Sequence, residues 1–162
     1  MLILFSLIVM RMSGAIALNP MFGRTNLPSA AKAGFVFLLS LLLYTTGGAG
    51  LYREPANLPE YGVMLLLELF VGFTLGFAME LSVMVVRFAS SAMDYVMGLN
   101  MAQIYDPQYN TQMTITSGMY YAFLMLLFFA MDGHLRLLEI FYGAARLIPF
   151  GAVRISPGLA MA

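Results

Sequence analysis

The sequence predicts an all-α, multi-helix integral membrane protein built on long helical hairpins, and three observations carry that reading. Of 162 residues, 61% are hydrophobic and only 10% charged, where a soluble domain has about 25% charged residues. Mean hydropathy is +0.85. The stretch from Tyr61 to Met97 holds no proline, so nothing forces a helix there to stop. At about 1.5 Å per residue that helix runs to roughly 55 Å, well beyond a hydrocarbon core of about 30 Å. Finally, the apolar runs are separated by short connectors rich in Gly, Pro and charge. The whole chain, 1–162, reads as one helical membrane domain, with no repeat of fixed period and no low-complexity tail.

Composition narrows the function classes. Eight basic and eight acidic residues cancel, which gives no electrostatic footprint for nucleic acid or an anionic substrate. The absence of cysteine removes disulfides and thiolate metal sites. Trp is also absent, so an interfacial belt rests on Tyr44, Tyr52 and Tyr61. Most of the fifteen methionines read as lipid-facing filler in place of Leu, and their flexibility suits a bundle that repacks against partners.

Met1–Ala17 imitates a signal peptide, with apolar Leu2–Val9 and an Ala15-Ile16-Ala17 step. No positive region precedes it, and Arg11 interrupts it before the step, which favours a first membrane helix ending at Asn19-Pro20. The connector Met21–Ala31 carries Arg24, Asn26 and Pro28 and is followed by Lys32. The second helix runs from Ala33 to Thr46 and ends at Gly47-Gly48-Ala49-Gly50. A polar loop, Leu51–Glu60, follows with Arg53, Glu54, Pro55 and Pro59. Arg24 and Lys32 outweigh Arg53, which places the first connector in the cytoplasm and the chain start outside.

The third helix is the centre of interest. Glu80, Arg87 and Asp94 recur every seven positions, each about 20° from the one before around the axis. A charge at the bilayer centre costs about 2.5–3.5 kcal/mol on insertion scales, so this stripe must face protein or water. Glu68, Gly72, Gly76 and Glu80 lie at steps of four. Gly72 and Gly76 form a small-xxx-small pair that admits another backbone closely, and Ala89-Ser90-Ser91-Ala92 extends the same character. These residues are expected to pack helices and to contact a neighbouring subunit.

The helix breaks at Gly98–Asn110. A fourth, strongly apolar helix is expected over Gln112–Met131, then a turn at Asp132-Gly133-His134. A fifth, amphipathic helix runs from His134 to Ile148 with Arg136, Glu139 and Arg146, and Pro149 ends it. The short turn makes helices four and five an antiparallel hairpin. Arg136 and Glu139, three apart, suit a local ion pair, and His134 reads as a capping or hydrogen-bonding residue of the turn.

No catalytic constellation is present. A single histidine beside Asp132 is neither a metal site nor a triad, and the Gly47–Gly50 run has none of the surroundings of a phosphate loop. No cofactor is implied. Glu68 and Glu80 admit a second reading as carriers of a proton- or ion-coupled secondary transporter, since intramembrane carboxylates are functional candidates. Against it, Arg87 offers them a charge partner.

Arg11, Asn19-Pro20, Arg24, Pro28, Lys32 and Gly34 stand near the start of the chain. Met93-Asp94-Tyr95-Val96-Met97-Gly98-Leu99 and Asp106-Pro107 occupy its middle. Asp132-Gly133-His134-Leu135 and Ile148-Pro149 follow. In that order they resemble the FliR/SctT family of flagellar and type III secretion export gates, over nearly the whole chain. The resemblance implies a non-catalytic, all-helical subunit in the bacterial inner membrane, in the flagellar basal body. It would join FliP-, FliQ- and FlhB-type subunits in a channel for unfolded protein substrates.

In that family the loop after the long helix plugs the channel beside a ring of methionines. Carried onto this chain, the plug is Gly98–Pro107, including Tyr105 and Asp106, with Met101 and Ile104 as the closing apolar side chains. The family more often has bulky aromatics in such places. The physics agrees: a loop at membrane depth is tolerated only inside protein or a lumen, and apolar constrictions block ions by dewetting. The family usually has several more residues before the first helix and further helices after Pro149, so the chain reads as a fragment lacking the C-terminal helices.

Overall fold

The longest helix begins where proline permits it. In the computed structural model, which describes residues 2–19, 28–46, 54–101, 103–106 and 111–151, α3 spans Leu58–Val96 with Pro59 in its first turn. Proline is tolerated there because the first amides have no intrahelical acceptor, so Pro59 opens the helix rather than closing the preceding loop. Before α3 come α1 (Leu2–Ala17) and α2 (Ser29–Thr46). The second helix starts earlier than Ala33, because the Pro28 carbonyl takes the Ala31 and Lys32 amides at 3.0 and 3.2 Å.

After α3 the expected loop contains regular structure. A single 3-10 turn, Leu99–Met101, leads into β1 (Gln103–Asp106), which pairs antiparallel with β2 (Thr111–Thr114). The register sets Gln103 opposite Thr114, Ile104 opposite Met113, Tyr105 opposite Gln112 and Asp106 opposite Thr111. The strand therefore takes the residues expected to begin the fourth helix, and α4 spans Ile115–Ala130. Both β2 threonines are stiff at χ1, which suits a strand better than a helix start. Next comes α5, Gly133–Leu147. Arg24, the Gly47–Gly50 run, Arg53 and Pro107 lie outside the described residues.

The core forms around α1. Leu4, Leu7, Ile8, Met12, Ala15 and Ile16 are buried, together with Leu39 and Leu43 of α2, Met64 of α3, Leu137, Phe141 and Ala145 of α5, and Phe150. The most extensive packing is α1 against α3, then α1 against α2 and α3 against α4. One stripe of α3 is buried: Met64, Glu68, Gly72, Gly76, Glu80, Val83, Ser90 and Asp94. Steps of three, four and seven keep these on one helix face. Much of the remaining surface of α3 is apolar and exposed, with Phe70, Phe73 and Phe77 in a ladder whose successive ring centroids lie 6.2 Å apart. On α4, Ser117 alone is buried among the described residues. A membrane protein can leave such faces apolar because lipid is as good a solvent for them as a core.

Candidate functional site

Close backbone approach positions everything else. A Cβ on Gly72 would collide with the Arg11 carbonyl, and one on Gly14 with the Leu69 carbonyl. At Gly76 it would stand 2.5 Å from the Ala15 carbonyl. Gly72 and Gly76 thus seat α1 of the same chain, with Gly14 answering from the other side.

This contact buries a charge pair. Arg11 Nε donates to Glu68 Oε2 at 2.5 Å, and neither side chain is exposed by more than 1%. Arg11 Nη1 donates to the Ile148 carbonyl at 2.9 Å, and the guanidinium lies 4.3 Å from the Phe150 ring centroid. Glu68 Oε1 accepts the Gly151 amide at 2.8 Å. Arg11 Nη2 is buried with no hydrogen-bond partner. Taking both ions out of water is costly, and these added bonds are what offset it. They also tie the segment after α5 to α1 and α3. In the sequence Arg11 stood out as an interruption of an apolar run and as one of the residues carrying the family resemblance, with no partner assigned to it. The usable signal was that a lone arginine within such a helix needs an acidic partner.

Farther along the stripe, Glu80 is buried and the Arg87 guanidinium lies 5.9 Å from the Tyr121 ring centroid on α4. Asp94, fully buried, stands at the first turn of α4. It faces the Thr114 and Thr116 hydroxyls and the backbone amides of Thr116 and Ser117. Its two oxygens and Thr114 Oγ1 lie beside these groups without closing to full hydrogen-bond geometry. Thr114 is the N-cap residue of α4 yet makes no side-chain cap bond. A carboxylate at such a position is favoured by the unpaired amides and the helix dipole.

Asp94 stands just before the hairpin. Met97 and Gly98 close α3 on the Met93 and Tyr95 carbonyls, and Gly98 turns the chain with φ 73°, a left-handed value that glycine adopts without steric cost. Val96, Met97, Leu99 and Tyr105 are exposed, and Met101 is 99% exposed. Ile104 and Asp106 lie in β1 within the paired register. The result is an exposed apolar turn at the end of the longest helix, followed by a largely polar two-stranded hairpin.

The turn between α4 and α5 is built from backbone and rings. Asp132 adopts φ 54° and its carbonyl accepts the Leu135 and Arg136 amides at 2.9 and 3.1 Å. Its side chain makes no cap bond. His134, expected to cap or hydrogen-bond, instead sets its ring 5.8 Å from that of Phe129. Gly133 lies against Phe128. Arg136 and Glu139 pair at 3.8 Å, both well exposed.

Two helices are long and apolar enough to cross a membrane, and buried charges occur where helices meet. Together with the five helices of the described residues, this agrees with the expected fold class, an all-α, multi-helix membrane protein. The chain matches the family described as bacterial export proteins, family 1, over residues 2–162, and it belongs to that family. It is similar to the flagellar biosynthetic protein FliR of Bacillus subtilis (strain 168), with 28% identity over 141 residues, covering 85% of this chain and 52% of that protein. The FliR proteins of Pectobacterium carotovorum subsp. carotovorum and Escherichia coli (strain K12) are 25% and 24% identical, each over 88% of this chain and 54% of theirs. The resemblance to the FliR/SctT family is thereby confirmed. The chain spans about half the length of the curated relatives it matches.

Proposed function

We propose that the chain is a non-catalytic component of a flagellar or type III protein export gate in the bacterial inner membrane, and that the segment Gly98–Pro107 plugs its channel. The observation that carries the reading is the exposed apolar turn at the end of α3, Val96, Met97, Leu99 and Met101, whose Met101 side chain touches almost nothing in its own chain. Apolar side chains in that place suit a dry constriction among neighbouring subunits, where dewetting blocks ions. FliP- and FliQ-type subunits, and an FlhB-type subunit, are the partners this reading calls for, with unfolded protein as cargo. Glu80 and Arg87 would steady the joint with those subunits. Glu68 is a poor carrier for an ion-coupled transporter, because Arg11 and the Gly151 amide occupy both of its oxygens.

The test deletes Asn100–Ile104 in the chain co-expressed with its gate partners and measures ion leak. Glu80→Gln is examined separately for recovery of the assembly. The gate reading expects a leaky membrane after the deletion and weakened assembly with Glu80→Gln. A tight membrane after the deletion, with proton-coupled flux abolished by Glu80→Gln, would favour the transporter and sink the gate.

A further inference from the structure

We infer that Asp94 is the latch that sets the position of the β1–β2 hairpin, acting as a cap supplied to α4 from the end of α3. The inference rests on the gate reading of that hairpin. Three observations meet at this carboxylate. It is fully buried although Tyr95, Val96, Met97, Leu99 and Met101, which follow it directly, are exposed. The Thr114 and Thr116 hydroxyls and the Thr116 and Ser117 amides lie beside it, and its two buried oxygens have no other hydrogen-bond partner among the described residues. The native N-cap, Thr114, leaves the amides of α4 uncapped by its own side chain.

The connectivity makes this one contact control both legs of the hairpin. The first leg leaves α3 just beyond Asp94, through Gly98 and the Leu99–Met101 turn. The second leg, β2, runs into α4 with no linker between Thr114 and Ile115. Holding the first turn of α4 therefore holds β2, and the four-residue register carries that constraint to β1. A two-stranded hairpin is marginal by itself in water, so its orientation depends on how its base is anchored. Asp94 is a positioning residue: it touches no cargo, and its loss frees the hairpin without dismantling the Arg11–Glu68 junction at the other end of α3.

The chain has no cysteine, so single introduced thiols report cleanly. Met113→Cys probes β2 at the hairpin base, and Met12→Cys, in the fully buried centre of α1, probes the bundle. Both are labelled with a small maleimide in membranes. With Asp94→Ala, labelling at 113 is expected to rise roughly fivefold to thirtyfold, the population change that loss of a cap carries, while labelling at 12 stays unchanged. Asp94→Asn, which keeps an acceptor oxygen and the side-chain volume, is expected to fall between, and it carries the test if the alanine variant does not accumulate. Unchanged labelling at 113, or an equal rise at both positions, would overturn the latch. If labelling rises at 113 alone while deleting Asn100–Ile104 leaves the membrane tight, the latch stands and the gate reading fails. A leaky deletion with unchanged labelling removes the latch alone.

Discussion

Arg11 and Glu68 stand 57 residues apart in sequence and share a hydrogen-bonded ion pair sealed from solvent between α1 and α3. Removing one partner strands the other as a buried charge, which costs about 3–5 kcal/mol. Glu68→Leu and Arg11→Met should each sharply reduce the folded fraction in a detergent denaturation series. The double variant should recover most of the loss, since an apolar pair of similar volume needs no compensation. Equal losses for the single and double variants would show that the backbone bonds to Ile148 and Gly151 matter more than the charges.

Gly72 and Gly62 lie on the same helix and should respond in opposite ways. A Cβ at Gly72 meets the Arg11 backbone, whereas at Gly62 there is nothing within 4 Å. Gly72→Ala must push α1 away from α3, an overpacking loss of about 1–3 kcal/mol or more. Gly62→Ala should be neutral or stabilising by about 0.4–1 kcal/mol, because it only narrows the unfolded ensemble. The midpoints of thermal unfolding decide it.

The α4–α5 turn offers a second contrast. Asp132 holds a left-handed backbone, so Asp132→Gly should gain a fraction of a kcal/mol and Asp132→Val should lose about 1–2 kcal/mol. One residue on, Gly133→Ala should lose stability, because its Cβ would stand 2.5 Å from the Phe128 ring and 2.7 Å from the Phe128 carbonyl. Removing the exposed Arg136–Glu139 pair should leave the melting temperature unmoved.

Met101 is almost wholly exposed in this chain. A Met101→Cys thiol should react quickly with an aqueous maleimide in the solubilised chain. If the proposed gate role holds, co-assembly with FliP- and FliQ-type subunits should protect it. Equal rates in both states would argue that the hairpin does not enter a subunit-lined channel.

Much of this protein was readable from local pattern. Low charge and long apolar runs require helices, because a backbone in lipid must satisfy its own hydrogen bonds. The spacing of Glu68, Gly72, Gly76, Glu80 and Asp94 is enough to place them on one face of α3, since periodicity is a property of the helix itself. What faced that stripe was not readable. That Glu68 meets Arg11, that Gly72 seats the same chain's α1, and that Asp94 comes to lie beside the first turn of α4 were all decided when distant segments packed. The hairpin escaped for a related reason. Residues 103–106 and 111–114 are strands only because each supplies the other's hydrogen bonds, and four residues alone carry too weak a period to announce it. Sequence determined which side chains could not face lipid; tertiary structure decided which partner each would find, because a buried charge or an uncapped amide is satisfied only by whatever packing brings within reach.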